Sequence, residues 1–195
     1  MKVRLLSHGP MRGRYNMAVD EAIQKEASKQ IGSGPTLRFY QWKPACLSLG
    51  RFQDPAAEID LHAVNNMSID LVRRPTGGKA VLHDNELTYS IVIAEKDLPG
   101  TILETYQKLS KAIVFGIRAL GIKADLMSLE HGVTARDTRF QRAACFTAPS
   151  WYEIVSEGRK ITGSAQVRKD GFILQHGSIP LSMDYSKQAR CLKTK

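Results

Sequence analysis

The sequence predicts a single α+β domain in which a mixed or antiparallel sheet is flanked by helices. Predicted strands occur in runs with few helices between them, which favours this class over alternating βαβ units. Residues 151–155, 160–168 and 171–179 are the clearest run, because the short turns 156–158 and 169–171 join them as consecutive hairpins. The length of 195 residues suits one domain with a sizeable hydrophobic core.

Two long helices accompany the strands. Asn16 is the expected N-cap of the first, residues 17–27, in which acidic residues come early and lysines late, as the helix dipole favours. The second is predicted to begin after Thr101 and to end at Gly121. Its apolar residues recur at helical spacing and are Ile102, Leu103, Tyr106, Leu109, Ile113, Ile117 and Leu120. A shorter helical segment is expected to open at Asp54.

Further strands are predicted at residues 3–6, 37–40, 46–50, 69–72, 87–93 and 122–126. Cys46 falls in one of them, so we expect a small buried hydrophobic residue there. The segment 130–142 is polar, mixed in charge and without periodicity. It is interpreted as a mobile loop of the kind that often controls substrate access.

The composition argues against several classes of protein. Hydrophobic residues at 43% and charged residues at 24% are ordinary for a globular protein. No apolar run approaches the roughly 20 residues of a membrane span, and the N-terminus lacks the apolar core of a signal peptide, so a cytoplasmic location is expected. The three cysteines are widely spaced without a CxxC pair, which indicates neither a zinc site nor a disulfide framework.

The formal net charge of +9 is compatible with nucleic acid or with an acidic protein partner. The chain has no dense Lys/Arg run with interleaved aromatic residues and no helix-turn-helix or RNP pattern. Nothing but net charge therefore supports nucleic-acid binding, and an acidic protein partner suits the charge as well.

The stretch 73–84, Arg-Arg-Pro-Thr-Gly-Gly-Lys-Ala-Val-Leu-His-Asp, is the most informative part of the chain and lies between two predicted strands. The adjacent Gly77 and Gly78 would let the backbone approach a ligand closely and present its N–H groups. Arg73 and Arg74 offer planar guanidinium groups suited to phosphate or carboxylate. For a Gly-Gly turn alone, a basic hairpin turn with solvated charges is the simpler interpretation.

The whole stretch resembles the RR-x-[ST]-GG-x-x-V-x-HD signature of the biotin/lipoate protein ligase and acyltransferase superfamily. Residues 158–166 are similar to its second signature, G-[RK]-K-[IV]-x-G-[ST]-A, and residues 175–179 to its third, the HG-[ST] strand. The segment around Met17 and Glu21 is similar to the N-M-A-x-D-E helix of the family. With three motifs in the expected order, the chain is identified as a member, which implies the catalytic-domain fold of this superfamily.

The resemblance implies a substrate-binding site built from these motifs. The positions carried over are Arg73, Arg74, Thr76, Gly77, Gly78, Lys79, His83, Gly163, Ser164, Ala165, His176 and Gly177. Backbone N–H groups near residues 77–78 or 163–164 would hold an oxyanion. His83 is expected to anchor its loop, and His176 to pack beside the pocket. No metal is implied. In the family, the region of Phe39, Tyr40 and Trp42 forms one wall of the acyl pocket, so these three aromatic residues belong either to that wall or to the core, and the core is favoured.

Cys145, at the end of the polar segment and just before a predicted strand, is the candidate nucleophile. Nearby positive charge from Arg142, Arg159 or Lys160 would lower the pKa of its thiol. From the residues alone, a buried structural thiol is the simpler interpretation. However, residues 145–153 followed by 158–166 resemble the cysteine-dependent octanoyltransferases of the LipM type, in which this cysteine carries the acyl group, and the basic Lys79 adds to the resemblance.

That resemblance implies transfer of octanoyl from acyl carrier protein to a lysine of a lipoyl-domain protein, with glycine cleavage H protein as the expected acceptor. Both kinds of partner are typically acidic, which suits the basic chain. Cys145 would form a thioester acyl-enzyme, and Lys160 would orient the acyl carbonyl and assist deprotonation of the acceptor. From its place after a hairpin turn alone, Lys160 would simply face solvent. No ATP or other cofactor is needed, because a thioester is already activated.

Two other functions stay open. An ATP-dependent lipoate–protein ligase would use Arg73, Arg74 and Lys160 to bind phosphate and acyl-adenylate, whereas a non-catalytic basic module would only bind acidic carrier domains. Family members usually continue for several dozen residues past the HG-[ST] strand, but this chain stops at Lys195. We therefore expect one catalytic domain over residues 1–195, either truncated or a short form.

Overall fold

The computed structural model describes residues 2–29, 34–127 and 153–193. Its ten strands are β1 (Arg4–Met11), β2 (Thr36–Trp42), β3 (Cys46–Leu49), β4 (Asp70–Arg73), β5 (Val81–His83), β6 (Glu86–Ala94), β7 (Asp125–Met127), β8 (Glu153–Ser156), β9 (Arg159–Lys169) and β10 (Phe172–Pro180). Its helices are α1 (Gly13–Lys29), α2 (Pro55–Glu58), α3 (Leu61–Asn66), α4 (Ile102–Ala119) and α5 (Tyr185–Arg190). The predicted mobile loop 130–142 lies outside the described residues.

The strands form two sheets. The larger has seven strands in the order β1-β2-β6-β10-β9-β8-β7, with β1 and β2 parallel and the strand pairs from β2 to β7 antiparallel. The smaller has the order β4-β3-β5, with one parallel and one antiparallel pair. The predicted class, α+β with a mixed sheet flanked by helices, is confirmed.

Helices α1 and α4 cover opposite faces of the larger sheet. Alternation along β6 explains this, because successive side chains of a strand point to opposite faces. Val92 packs with Ile23 of α1, whereas Ile91 on the other face packs with Leu109 of α4. The smaller sheet has its own apolar cluster with α3 and the C-terminal segment, including Leu47, Leu49, Ile59, Val64, Leu82 and Cys191. Among the described residues, no helix is long and apolar enough to cross a membrane.

The two hairpins that join β8, β9 and β10 are confirmed. Glu157 and Gly158 have φ values of 48° and 73°, and Asp170 and Gly171 have 52° and 76°. Two successive residues with positive φ are typical of the type I′ turn, whose twist matches that of the flanking strands. These turns set the register that pairs Ser164 with Gly177.

The start of the first helix differs from the prediction. Helix α1 begins at Gly13, so Asn16 lies inside it and the N-cap prediction is wrong. Asn16 is fully buried, and its amide donates to the carbonyls of Met11 and Gln41 at 3.3 and 2.9 Å and accepts from Arg38 at 2.7 Å. The asparagine therefore forms hydrogen bonds with backbone carbonyls at the ends of strands. This tertiary role cannot be seen from the residues next to it in the chain.

Helix α4 begins as predicted. The Thr101 hydroxyl accepts from the Glu104 N–H, and the Glu104 carboxylate accepts from the Thr101 N–H, so the two residues form a capping box.

The predicted burial of Cys46 is also confirmed. Burial raises the pKa of its thiol, and the charges of Asp70 and Glu86 add to this effect. Cys46 is therefore held as an inert thiol.

Candidate active site

A cavity of about 230 Å³ lies where the 74–83 segment of the smaller sheet meets β9 and β10 of the larger one. Apolar and aromatic side chains form part of its wall, namely Met17, Tyr40, Trp42, Val81 and Tyr106. The remaining lining residues are Ser48, Arg74, Gly77, Gly78, Lys79, His83, Thr88, Glu153, Lys160, Thr162, Gly163, Ser164, Ala165, His176, Gly177 and Ser178. A largely apolar cleft with a few convergent polar groups is typical of a small-molecule site.

Arg74 holds the glycine loop in place. Its guanidinium donates to the carbonyl of Gly77 at 2.8 Å, to that of Lys79 at 2.7 Å and to that of Ser48 at 2.9 Å. The side chain is buried, with 6% of its surface exposed. Arg74 therefore fixes the loop against β3 by these hydrogen bonds. From the sequence, its guanidinium was instead expected to bind a phosphate or carboxylate group.

Gly50 lets this loop pack directly on the end of β3. A Cβ at residue 50 would lie 1.9 Å from the carbonyl oxygen of Gly78, which is far inside van der Waals contact. Gly78 itself has a φ of +97°, a conformation that side-chain-bearing residues rarely adopt. Gly50 and Gly78 thus allow the loop and the end of β3 to approach each other closely, whereas the close approach of a ligand to Gly77 and Gly78 stays a prediction.

Replacing Gly50 with alanine is therefore expected to destabilise the protein by about 1–3 kcal/mol, because the backbone of the 77–78 loop must move. Urea denaturation measures the change. Gly116→Ala on α4 is the matched control: its added Cβ meets nothing within 4 Å, so a gain of about 0.4–1 kcal/mol is expected from the reduced freedom of the unfolded chain. Equal stability of the two variants would contradict the packing described for Gly50.

Two predicted binding residues lie behind the cavity rather than in its lining. Arg73 donates to three backbone carbonyls, those of Gly50, Arg51 and Gln53, at 2.8–3.0 Å. Thr76 is fully buried, and its hydroxyl lies 2.7 Å from Nε2 of His176. Both residues therefore stabilise the glycine loop from the side that faces away from the cavity.

His176 links this loop to a buried polar network. Its Nδ1 lies 3.7 Å from Asp20, whose carboxylate accepts from Arg38 at 2.7 Å, from Tyr40 at 2.9 Å and from Ser90 at 2.7 Å. Burial lowers the pKa of His176, although the hydrogen bond and charge of Asp20 act in the opposite direction. The imidazole is therefore favoured in its neutral form, and the network ties α1, β2, β6 and β10 together beneath the cavity.

His83 belongs to strand β5, which the sequence did not predict. Its Nε2 lies 2.8 Å from Oγ of Ser48, its Nδ1 lies 2.8 Å from Oε1 of Glu86, and its ring stacks on Trp42 at 4.2 Å with a 9° angle between the planes. Burial alone would raise the pKa of Glu86, but the charge of His83 and hydrogen bonds from His83, Ser178 and Thr88 lower it overall. His83 thus anchors its segment, as expected, and also faces the cavity.

Strand β9 forms the wall opposite the glycine loop. Its residues Gly163, Ser164 and Ala165 pair with Ser178, Gly177 and His176 of β10. A Cβ at Gly177 would lie 2.5 Å from both Ser164 Oγ and a ring carbon of Tyr89, so only glycine fits beneath this wall. The hydroxyls of Ser164 and Tyr89 lie 2.7 Å apart and fix the two strands to each other.

Lys160 and Glu153 form a charged pair at the cavity. Nζ of Lys160 donates to Oε1 of Glu153 at 2.5 Å, and the side chains are 13% and 6% exposed. A register shift between the pairs Ile154–Thr162 and Val155–Lys160 marks a β-bulge, a feature that re-aims side chains near functional sites. Lys160 is therefore held at the cavity and does not simply face solvent.

Most predicted site residues converge on one cavity. All twelve predicted substrate-binding residues except Arg73 and Thr76 line it, together with Lys160. Cys145 lies outside the described residues. Five polar lining residues were not predicted, namely Ser48, Thr88, Glu153, Thr162 and Ser178. Thr162 is buried, and its hydroxyl has no hydrogen-bond partner within the described part of the chain. Among residues 2–29, 34–127 and 153–193, no cluster of His, Cys, Asp or Glu could hold a metal ion.

The arrangement suits acyl chemistry. An apolar wall can hold an acyl chain, while ammonium, hydroxyl and backbone donors are gathered where a carbonyl oxygen could be polarised. The fold and cavity together define a catalytic domain of the biotin- and lipoate-protein ligase type. More specifically, the chain belongs to the lipoyl protein ligase A/B catalytic domain family, whose model matches residues 12–195.

Known proteins refine this assignment. The octanoyltransferase LipM of Carboxydothermus hydrogenoformans is 46% identical over 98% of this chain, and that of Moorella thermoacetica is 50% identical over 93%. The chain spans 70% and 66% of the lengths of these relatives. These similarities place the chain with the LipM-type octanoyltransferases and support an acyltransferase activity.

Solved structures of lipoate ligases share the fold. A lipoate-protein ligase A bound with ATP superimposes with a TM-score of 0.80 at 30% identity, covering 100% of this chain and 73% of the ligase. A bipartite lipoate protein ligase of Thermoplasma acidophilum, described with its E2 lipoyl domain, gives 0.77 at 27% identity, covering 100% and 67%.

Proposed function

We propose that this chain transfers an octanoyl group from acyl carrier protein to a lysine of a lipoyl-domain protein, through a thioester on Cys145. Glycine cleavage H protein is the proposed acceptor, and the cytoplasm is the proposed location. The observation that carries the proposal is an apolar-walled cavity with Lys160 at its side, in a chain 46–50% identical to LipM-type octanoyltransferases.

The proposed reaction has two acyl transfers. Cys145 loses its thiol proton and attacks the octanoyl thioester, the carbon–sulfur bond to the carrier breaks, and the carrier sulfur takes up one proton in place of the proton that Cys145 lost and leaves as a thiol. The acceptor amine then attacks the Cys145 thioester, forms the amide and returns the sulfur as a thiol. Because both bonds broken are thioester bonds, neither transfer needs ATP.

Lys160 is the proposed donor to the acyl carbonyl in both transfers. Its ammonium lies at the cavity, where an oxyanion would develop, and Glu153 fixes its position at 2.5 Å. The backbone of the glycine loop 77–78 and that of residues 163–164 line the same cavity and are the proposed additional donors.

The test uses octanoyl-acyl carrier protein without ATP, followed by the intact mass of the chain. We expect one octanoyl increment that is lost in Cys145→Ala and kept in Cys46→Ala. Cys46 is a suitable control because its thiol is fully buried. An increment kept in Cys145→Ala would contradict the proposed acyl-enzyme.

An ATP-dependent lipoate ligase is the second candidate, because the fold superimposes on a lipoate-protein ligase bound with ATP. This candidate needs groups that bind phosphate. Arg73 lies outside the cavity, and Arg74 donates to the carbonyls of the loop, which favours the first proposal. Modification of an acceptor by Cys145→Ala, dependent on ATP and lipoate or octanoate, would establish the ligase instead.

A non-catalytic module that binds acidic carrier domains is the third candidate. It predicts association with octanoyl-acyl carrier protein without any mass increment, with or without ATP. The incubation without ATP separates the first candidate from the other two, and a second incubation with ATP, lipoate or octanoate, and an acceptor separates the ligase from the non-catalytic module. The acceptor is tested by adding glycine cleavage H protein to the isolated acyl-enzyme, when the octanoyl increment should move to the acceptor.

A further inference from the structure

Three side chains form a hydrogen-bonded chain that starts at the cavity. Oγ of Ser48 lies 2.8 Å from Nε2 of His83, and Nδ1 of His83 lies 2.8 Å from Oε1 of Glu86. Ser48 and His83 line the cavity, and all three residues are at most 7% exposed. A hydroxyl, an imidazole and a carboxylate in this order are the parts of a proton-accepting relay.

The surroundings of the relay fix its geometry. Trp42 stacks on the imidazole and donates to Oγ1 of Thr88 at 2.7 Å, and Thr88 in turn donates to Glu86 at 2.5 Å. Ser178 donates to the other carboxylate oxygen at 2.6 Å. With Glu86 accepting only, Nδ1 of His83 carries the proton, and Nε2 is left to accept the hydroxyl of Ser48.

The proposed reaction does not specify which group accepts the proton that the acceptor lysine loses before it attacks. A lysine amine is protonated at neutral pH and must lose a proton before it attacks a thioester. Lys160 donates to the Glu153 carboxylate, and an ammonium has no lone pair with which to accept that proton. Lys160 and Glu153 are engaged as a pair in the proposed donation to the acyl carbonyl, which leaves this proton to another group at the cavity.

We propose that the Ser48–His83–Glu86 relay accepts the first proton that the acceptor lysine loses, a role that rests on the proposed function. The ammonium of the acceptor gives this proton to Oγ of Ser48 as the Ser48 hydroxyl proton passes to Nε2 of His83. The neutral amine then attacks the octanoyl carbonyl, and the carbon–sulfur bond to Cys145 breaks. The second amine proton ends on the Cys145 sulfur, and His83 releases the first proton to solvent.

The groups that face His83 are compatible with this role. Glu86 on β6 stabilises the imidazolium that forms, and Arg74 donates to Oγ of Ser48 at 3.1 Å, which favours transient negative charge on that oxygen. His176 on β10 and Cys46, the strand partner of His83 on β3, are two further titratable groups nearby. Burial favours the neutral form of both.

The experiment measures the second transfer by itself. Octanoylated wild type, His83→Gln and Ser48→Ala are isolated, mixed with glycine cleavage H protein, and followed in a single turnover from pH 6.5 to 9.5. Near pH 7 we expect both variants to be slowed by about 100-fold, the usual contribution of a general base. Ser110→Ala is the matched control, because this buried hydroxyl on α4 has no hydrogen-bond partner in the described part of the chain.

The pH dependence separates a relay from a structural role. At higher pH a larger fraction of the acceptor lysine is already neutral in solution. The rates of the two variants should therefore rise about tenfold per pH unit towards the lysine pKa of about 10.4, and the difference in rate between wild type and variants should disappear. Hydroxylamine is neutral at pH 7 and should cleave all the acyl-enzymes at equal rates. If the variants are slower than wild type by the same factor at every pH, or are also slower with hydroxylamine, the relay is wrong, although the proposed acyltransferase activity is unaffected. Failure of the wild type to load octanoyl would overturn the proposed function and the relay with it.

Discussion

Replacing Asp20 with alanine is expected to destabilise the protein by about 3–5 kcal/mol, because it leaves Arg38 as a buried charge without its partner. The side chains of both residues are 0% exposed, and Asp20 also accepts hydrogen bonds from Tyr40 and Ser90. The free energy of unfolding in urea measures the loss. The network supports His176 at the cavity, so octanoyl loading should fall as well.

Asp125→Ala provides the matched control. Asp125 also pairs with an arginine, Arg118, but these side chains are 75% and 56% exposed. Solvent screens such a pair, and its loss is expected to cost at most about 1 kcal/mol. A cost for Asp20→Ala no larger than that for Asp125→Ala would contradict a buried charge network.

The Asp20 network also predicts a direction of pH dependence. Burial alone would raise the pKa of Asp20, but its hydrogen bond with His176 and the charges of His176 and Arg38 lower it overall, below the ordinary value of 3.8. The stabilisation from this carboxylate is therefore complete above about pH 4 and is lost as the pH falls through the lower folded value. The stability gap between wild type and Asp20→Asn should narrow below pH 4. A gap that widens there would contradict the lowered pKa.

The features that were predicted correctly depend on local sequence. The turns at Glu157-Gly158 and Asp170-Gly171 require positive φ at both residues, and the glycine at the second position of each turn marks them. Thr101 and Glu104 form a capping box whose two members are three residues apart. In each case the residues that determine the structure are neighbours in the chain, so the sequence pattern contains the whole interaction.

The features that were missed depend on distant partners. Strand β5 has only three residues and exists because it pairs with β3, more than thirty residues earlier. The sequence predicts Asn16 as a helix cap, because nothing near it in the chain indicates that its amide donates to the carbonyl of Gln41. Short strands and buried polar residues both depend on tertiary context, which overrides local preference.

The site was predicted in part for the same reason. The motifs identified Lys160, the glycine loop and the His-Gly strand, and the structure brings them to one cavity. Ser48 stands outside every motif and reaches the site only because β3 pairs with β5. Conversely, the motif arginine Arg73 was expected to contact the substrate, but its guanidinium donates hydrogen bonds to three backbone carbonyls behind the loop.

Replacing Lys160 with methionine is expected to slow octanoyl transfer by about 100- to 1,000-fold, the usual cost of removing one donor to a developing oxyanion. Methionine keeps the length of the apolar stem, so the cavity wall is largely preserved. The loss should appear in the rate of acyl-enzyme formation from octanoyl-acyl carrier protein, measured in a single turnover with saturating donor. Binding of the donor should change much less than the rate.

Lys169→Met on the same strand is the matched control. Lys169 is exposed at the far end of β9 and does not line the cavity, so its loss should leave the rate within a factor of about two, as for most surface substitutions. Glu153→Gln completes the comparison, because it removes the charge that fixes Lys160 while leaving the ammonium in place. An intermediate loss is expected, since the donor remains but is less well positioned. A Lys160→Met enzyme as fast as Lys169→Met would show that the carbonyl is polarised elsewhere, and the backbone of the 77–78 loop would be the next donor to test.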